Sequence, residues 1–245
     1  MKILFSPSES KTSILGTTIF DFNNFIFPHL KDKREEAFKI YDNFIKLSTD
    51  KEISEFFGLK NVNDIKYYQQ SYKEKTGIKA ILRYSGVAYK ALNYTLLDKT
   101  SQEYIDKNVI IFSNLFGPIL ANDILPNYKF KQGQKLGSFK IENFYKENFS
   151  KSLDEYLKNE DILDLRATFY EKFYNIKKDF TTLKFLKEGK TVSHYAKHYR
   201  GIILKEIAKQ KISTLDEFKT INIDNLRLID IKKIKNKNEI LLEII

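Results

Sequence analysis

The 245-residue chain has no cysteine, no tryptophan and one methionine, and it contains only four prolines and nine glycines. Without cysteine, the chain can form no disulfide, has no catalytic thiol and has no thiolate ligand for a metal. The remaining composition, 42% hydrophobic and 14% aromatic, is typical of a globular protein rather than a disordered one. The chain is long enough to bury a sizeable core.

Long apolar runs and glycine-rich fingerprints are also missing. No window approaches the roughly 20 apolar residues that a membrane helix needs, and residues 1–5 are too short an apolar run for a signal peptide. The chain has neither a P-loop nor a dinucleotide-binding glycine pattern, and no internal repeat. These absences predict a soluble cytoplasmic protein without a membrane partner, folded as a single unit over residues 1–245.

Acidic residues are outnumbered by basic ones, 32 to 42, which gives a formal net charge of +10. An excess of this size favours polyanionic partners such as DNA, RNA or nucleotides, through long-range attraction and counterion release. A compositional bias toward Lys, Asn, Ile, Phe and Tyr would produce the same excess, so the charge alone leaves the partner open.

The hydrophobic pattern predicts strands and helices that interleave without a strict βαβ rhythm, in one mixed α/β unit built around one mixed sheet with flanking helices. Short β-branched runs predict strands at residues 3–5, 109–112, 162–165 and 183–186. Helical spacing covers residues 31–48, 51–57, 62–72, 87–92, 142–158, 168–174 and 196–210. Residues 226–231 and 240–245 are predicted to form a hairpin that turns at 235–238.

One segment, residues 191–201, contains no acidic residue and holds two of the three histidines. If Ser193 caps the following helix, free backbone amides, Lys197 and Arg200 would face a negatively charged ligand, and Gly201 would let a ligand or another backbone come close. His194 and His198 have the i, i+4 spacing of zinc ligands. The rest of the zinc-protease pattern is absent, so no metal site is predicted.

A polar loop at residues 6–12 follows the first predicted strand. Its hydroxyls, with Ser8 among them, could bind an anion together with Lys11, and Glu9 or Lys11 could transfer protons. These two residues are therefore the candidates for catalysis. The alternative is an ordinary polar turn.

Two further segments carry candidate contacts. Arg166 follows a predicted strand and could reach a shared pocket at the edge of the sheet, or it could form a structural pair with Asp164. Gly117 lies in a tight turn that could offer backbone amides to a DNA phosphate, with Lys129 adding charge nearby, although a plain turn would look the same.

Taken together, these segments resemble the YaaA family of bacterial peroxide stress resistance proteins. The opening strand with residues 6–12 is similar to the N-terminal signature of the family. The other matching segments, in chain order, are Gly86-x-x-Tyr89-x-x-Leu92, Leu115-Phe116-Gly117, residues 128–133, Asp164-Leu165-Arg166 and Lys197-x-x-Arg200-Gly201. The order and spacing hold over nearly the whole chain.

The resemblance implies a mixed α/β domain with a positively charged cleft and a helix-hairpin-helix-like element that binds DNA. It also implies a role in limiting iron-dependent peroxide damage. Carried over to this chain, the residues lining the cleft would be Ser8, Lys11, Tyr128, Arg166, Lys197 and Arg200, with Gly117 in the hairpin.

The central block departs from the family pattern. Ile119-Leu120-Ala121 stands where the family has Leu-Arg-Pro, so an arginine and a proline are missing, and Lys129 replaces an arginine. Lysine keeps the charge but loses the planar two-pronged geometry of a guanidinium. DNA contact through the hairpin should therefore be weaker here than in the family.

Two functional hypotheses follow, neither of which requires a cofactor. In the first, the protein binds double-stranded or damaged DNA mainly through phosphate contacts, and Tyr89, Tyr128 or Tyr195 stacks on exposed bases. In the second, the protein is an enzyme acting on a nucleotide or another small anionic compound held in a Lys/Arg/Glu pocket. The enzyme hypothesis requires that four cations converge on one pocket: Lys11, Arg166, Lys197 and Arg200.

Overall fold

The computed structural model describes residues 1–70, 75–193 and 195–245, and the strands in these ranges form two sheets. In chain order the strands are β1 (Lys2–Phe5), β2 (Thr18–Ile19), β3 (Thr76–Lys79), β4 (Val109–Ser113), β5 (Gly117–Leu120), β6 (Ile124–Leu125), β7 (Ile162–Leu165), β8 (Phe180–Lys187), β9 (Lys190–Thr191), β10 (Leu226–Ile234) and β11 (Lys237–Ile244). All four predicted strands and the predicted hairpin are confirmed.

The main sheet is mixed, as predicted, with strand order β10-β11-β8-β7-β1-β4-β5 and β9 paired to β8. Its five inner strands are parallel, and the outer strands β10 and β5 are antiparallel to their neighbours. Every residue of β1, β4 and β7 is buried. Burial on both faces explains why these strands are continuous apolar runs in the sequence rather than alternating ones.

The direction in which the chain builds the sheet reverses beside β1. From β1 the chain adds β4 on one side, and it then returns to place β7, β8 and β11 on the other side. The segments that follow β1 and β7 therefore leave the same edge of the sheet at adjacent positions. In open α/β sheets, ligands bind outside the carboxyl ends of the strands at such a reversal.

The helices are α1 (Lys31–Leu47), α2 (Asp50–Phe57), α3 (Val62–Gln69), α4 (Ala80–Arg83), α5 (Val87–Leu92), α6 (Lys99–Asn108), α7 (Ile141–Leu157), α8 (Ala196–Gln210) and α9 (Leu215–Thr220). The predicted helices are confirmed at α1, α2, α5, α7 and α8. The helix predicted at 62–72 corresponds to α3, and positions 71 and 72 lie outside the described residues. The helix predicted at 168–174 is a 3₁₀ helix, Thr168–Phe173.

Three of the described helices, α4, α6 and α9, were missed, and the last two begin with a side-chain cap that the sequence displays. Asp98 accepts a hydrogen bond from the Ser101 amide at the start of α6, and Thr214 accepts one from the Glu217 amide at the start of α9. Thr214-x-x-Glu217 has the spacing of a capping box. The short sheet β2-β3-β6 was also missed, because strands of two to four residues have too little periodicity to detect.

The expectation of a helix-hairpin-helix element at Gly117 is wrong. Residues 114–116 form a turn between β4 and β5, which pair antiparallel, so the segment is a β-hairpin. Gly117 has a φ of +67°, and a Cβ at this position would lie 2.3 Å from the ring of Tyr145. The left-handed backbone and the close packing both favour glycine here, and Gly117 is buried, which leaves it a structural residue.

The buried apolar side chains of the sheet and its flanking helices form a contiguous core. Within the described ranges, no helix is long and apolar enough to cross a membrane.

Candidate anion-binding site

The loops that follow β1 and β7 are joined by Ser6. Its hydroxyl accepts a hydrogen bond from the Ala167 amide at 2.7 Å, and its carbonyl accepts one from the Tyr89 hydroxyl at 2.8 Å. Ser6 therefore fixes three elements against one another at the edge of the sheet: the β1 loop, the β7 loop and helix α5.

Ser8 lies one turn further along the same loop and is half-buried against Gly86. A Cβ on Gly86 would lie 2.1 Å from the Ser8 hydroxyl oxygen, so a larger residue would displace Ser8. This close approach gives a physical reason for the glycine in the segment Gly86-x-x-Tyr89-x-x-Leu92.

A cleft of about 480 Å³ opens between the ends of β1 and β7, at the reversal of the sheet. We call it the β1–β7 cleft. It is lined by Phe5, Ser6, Pro7, Ser8, Glu9, Ser10, Gly86, Val87, Ala88, Tyr89, Gln132, Leu165, Ala167, Tyr170, Lys197 and Arg200. Its volume lies within the range of small-molecule sites, which is roughly 300–1,000 Å³.

A second cleft of about 570 Å³ lies next to the first, alongside β8, and we call it the β8 cleft. Its lining includes Asp164, Arg166, Thr168, Glu171, Asn175, Thr182, Lys184, Thr191, Ser193, Asn236, Lys237 and Glu239. Both clefts are also lined by Ala167, Lys197 and Arg200. The two cations therefore stand where the clefts meet.

Arg200 and Lys197 lie on the first turns of α8 and form no hydrogen bond or ion pair with any residue that the structure describes. Lys197 is exposed, whereas Arg200 is partly buried. Burial lowers the pKa of the Arg200 guanidinium, and the carboxylates of Asp164 and Glu171 oppose that effect. A partly desolvated cation without a contacting anion is well placed to accept one.

Arg166, by contrast, is only 4% exposed and is already paired. Its Nε and Nη2 atoms each donate to a different oxygen of Asp164 at 2.8 Å, and its Nη1 donates to the carbonyls of Tyr170 and Tyr174. Of the two roles considered from the sequence, the structure supports the pair with Asp164. Arg166 lies at the wall of the β8 cleft and orders the chain that follows β7.

Lys11 lies beneath the β1 loop rather than in either cleft. Its Nζ donates to the carbonyls of Ser8 and Glu9 at 3.4 and 3.3 Å, and it lies 4.3 Å from the centre of the Tyr128 ring. Burial lowers the pKa of Lys11 to about 7, with a further contribution from the positive charge of Lys129. Lys11 therefore holds the loop that lines the β1–β7 cleft.

Glu9 is the candidate proton-transfer residue that does line the β1–β7 cleft. It is exposed, and its carboxylate accepts a hydrogen bond from the Gln132 amide at 3.4 Å. Lys129 is half-buried and lines neither cleft. Burial lowers the pKa of Lys129.

The expectation that Tyr128 and Tyr89 stack on exposed bases is wrong. Tyr128 is 1% exposed, and its hydroxyl is hydrogen-bonded to those of Tyr84 and Ser113. Tyr89 is 6% exposed and donates to the Ser6 carbonyl. Tyr195 is 43% exposed and is the only one of the three expected stacking residues with an accessible ring.

Helix α8 begins differently from the prediction. The residue preceding its first turn is Tyr195, with no side-chain cap, so Ser193 does not cap the helix. Gly201 is buried, and a Cβ on it would lie 2.1 Å from the carbonyl oxygen of Ala88 in α5. The sequence predicts that either a ligand or another backbone comes close to Gly201, and in the structure it is the backbone of Ala88.

No metal site is formed by the side chains whose positions the structure gives, since they contain no suitable group of three or more His, Asp or Glu. His198 is exposed and packs edge-on against the ring of Tyr199. His194, the other histidine of the i, i+4 pair, lies outside the described residues.

Sequence reasoning missed several residues that line the β1–β7 cleft, notably Ala167, Tyr170 and Gln132. Ala167 and Tyr170 follow β7 directly. The rule that ligands bind at strand ends would have indicated them once β7 was placed beside β1. Gln132 had no signal of its own, because it comes from a distant loop.

Comparison with known proteins gives a family and several relatives. The family model for peroxide stress protein YaaA matches residues 1–230. An uncharacterized protein of Campylobacter jejuni is 52% identical over the full length of both chains. A UPF0246 protein of Corynebacterium glutamicum is 30% identical over 85% of each chain, and one of Fusobacterium nucleatum is 28% identical over 93% of each. The chain belongs to the peroxide stress protein YaaA family.

Proposed function

We propose that this peroxide stress family protein binds a small phosphorylated or carboxylated compound in the β1–β7 cleft, with Arg200 and Lys197 as the anion-binding residues. The observation that carries the proposal is the position of Arg200. It is partly buried between the two clefts and makes no hydrogen bond or ion pair to a described residue.

The surroundings of Arg200 favour a ligand over a missing structural partner. Asp164 binds Arg166 through both of its oxygens and forms no hydrogen bond or ion pair with Arg200, although its charge acts on Arg200. An added phosphate or carboxylate would recover part of the desolvation cost of Arg200 through charge-assisted hydrogen bonds.

The β1–β7 cleft also offers groups that could act on a bound compound. Ser8 and Ser10 supply hydroxyls, and Glu9 supplies an exposed carboxylate on the same wall. Under this proposal Glu9 is the candidate general base or acid. Lys11 positions the loop that carries Ser8 and Glu9, through their two carbonyls.

DNA binding is a second candidate, favoured by the net charge of +10 and the exposure of Lys197 and Tyr195. Contact would be made mainly with phosphates in a positively charged cleft, because Tyr128, Tyr89 and Gly117 are buried. Protection of DNA from iron-dependent oxidative damage would then be a consequence of this binding. The first candidate is preferred because the β1–β7 cleft has small-molecule dimensions.

The two candidates predict different effects of Arg200→Ala. We expect adenosine 5′-monophosphate to bind the parent protein in isothermal titration, and Arg200→Ala to weaken that binding at least tenfold. Lys39→Ala, an exposed change on α1 outside both clefts, should have no effect.

A duplex titration at several salt concentrations completes the test. Tight, salt-sensitive DNA binding without any nucleotide binding would favour the second candidate. If neither nucleotide nor inorganic phosphate binds, or if Arg200→Ala binds as the parent does, the first candidate is wrong.

A further inference from the structure

The two clefts that meet at Arg200 differ in the chemistry of their walls. The β1–β7 cleft has a largely apolar and aromatic wall, formed by Phe5, Val87, Ala88, Tyr89, Leu165 and Tyr170. Tyr89 and Tyr170 are only 6% and 4% exposed, so neither ring is available for stacking, and Val87 is the exposed member of this wall. A wall of this kind suits a flat ring better than a second charged group.

The β8 cleft also has apolar residues, among them Phe180, Leu183 and Phe185, but more of its lining residues have side chains that form hydrogen bonds. Hydroxyls come from Thr168, Thr182, Thr191 and Ser193, and amides come from Asn175 and Asn236. A group rich in hydroxyls can exchange hydrogen bonds with the serine and threonine hydroxyls, since each can donate and accept. The Nδ2 of Asn236 already donates to the carbonyls of Ile176 and Lys178.

Glu171 makes a second phosphate beside its own carboxylate unfavourable, although Lys184 and Lys237 also line the β8 cleft. Its carboxylate is exposed and has no hydrogen bond or ion pair with the residues that the structure describes, and its charge acts on Arg200. A carboxylate accepts hydrogen bonds from sugar hydroxyls, whereas it repels an anion.

We propose that the ligand spans both clefts, with a ring in the β1–β7 cleft, a phosphate or diphosphate at Lys197 and Arg200, and a sugar in the β8 cleft. This is the chemistry of a nucleoside diphosphate sugar. The inference rests on the proposed function, because it uses the same two cations. It adds a second subsite, with Glu171 as the residue that recognises the sugar.

The test compares whole compounds with their halves by isothermal titration. The probes are ADP-ribose, uridine diphosphate glucose and guanosine diphosphate mannose, each beside its nucleoside monophosphate and its sugar phosphate. At least one whole compound should bind tenfold or more tightly than either of its halves. If all three bind no more tightly than their monophosphates, the two-cleft inference is wrong.

Glu171→Ala separates the sugar subsite from the phosphate site. It should weaken binding of the preferred whole compound about tenfold and leave its monophosphate bound equally or more tightly, because a nearby negative charge is removed. Glu55→Ala, an exposed change on α2, is the matched control. Equal losses for the whole compound and the monophosphate would contradict a sugar subsite.

The outcomes also separate this inference from the proposed function. Monophosphate binding that depends on Arg200, without any gain for the whole compounds, would retain the proposed function and reject the second subsite. Absence of binding by every probe, inorganic phosphate included, would reject both.

Discussion

Arg166 and Arg200 were both expected to bind an anion, and both line the β8 cleft, yet their surroundings are opposite. Arg166 is nearly fully buried and donates four hydrogen bonds, two of them to Asp164. Arg200 is partly buried and has no such partner among the described residues. The difference shows that a cation lining a cleft is a candidate ligand-binding residue only if the protein has not already paired it.

The same contrast divides the other predicted site residues. Lys11, Tyr128, Gly117 and Gly201 are engaged inside the protein, where they hold loops and helices in place. Lys197 and Arg200 are left at the junction of the two clefts. The first group supports the site, and the second group can contact a ligand.

Among these substitutions, Arg166→Ala should cause the largest loss of stability, because Arg166 has a structural role. It leaves Asp164 buried without its partner, so we expect the free energy of unfolding to fall by about 3–5 kcal/mol. Chemical denaturation measures the loss. Arg227→Ala, at an exposed position of β10, is the control, and a loss below about 1 kcal/mol would place Arg166 with Arg200 instead.

Lys11→Met tests whether Lys11 belongs to the residues that are engaged inside the protein. Its pKa is about 7 in the folded protein, well below the value near 10.5 expected when the chain is unfolded. Between these values the unfolded chain binds the proton more tightly, so Lys11 makes the stability of the parent rise with pH above 7.

The substitution removes that dependence. The free energy of unfolding of Lys11→Met, measured relative to that of the parent, should be higher at pH 6 than at pH 9 by on the order of 2 kcal/mol. Denaturation curves at the two pH values give the difference, and Lys39→Met should give none. A pH-independent difference for Lys11→Met would show that Lys11 keeps an ordinary pKa.

Gly201→Ala sharpens the distinction between packing and ligand contact. The new Cβ would meet the backbone of Ala88, so α8 and α5 must move apart, at a cost of about 1–3 kcal/mol in stability. An unchanged thermal midpoint for Gly201→Ala would mean that the close approach is not required.

Arg200→Lys should cause the smallest change in stability, and it tests whether Arg200 contacts a ligand. Stability should stay within about 0.5 kcal/mol of the parent, because Arg200 makes no hydrogen bond or ion pair to a described residue that the substitution would break. Affinity for adenosine 5′-monophosphate should fall by less than in Arg200→Ala, since lysine keeps the charge without the planar fork. Destabilisation as large as that of Arg166→Ala would assign Arg200 a structural role.

Much of the fold could be predicted from the sequence because its inner strands are buried on both faces and its long helices are strongly periodic. The runs at β1, β4 and β7 are continuous and apolar, and α1, α7 and α8 have clear helical spacing. The reversal of strand order beside β1 could not be predicted, since it depends on which strands pair.

The site could be predicted only in part for the same reason. Lys197, Arg200 and Ser8 were found because charge and hydroxyl groups stand out in a sequence. That Arg166 is paired with Asp164, or that the Tyr128 hydroxyl is hydrogen-bonded to those of Tyr84 and Ser113, depends on distances that no spacing along the chain reveals. Partners, rather than residue types, separated the two groups.

The most direct test of the central claim is a crystal structure of the protein with adenosine 5′-monophosphate. The account predicts a phosphate in hydrogen-bond contact with the Arg200 guanidinium and near Lys197, at the junction of the two clefts, with Arg166 still bound to Asp164. A phosphate bound elsewhere on the protein, or one that draws Arg166 away from Asp164 and leaves Arg200 unoccupied, would contradict it.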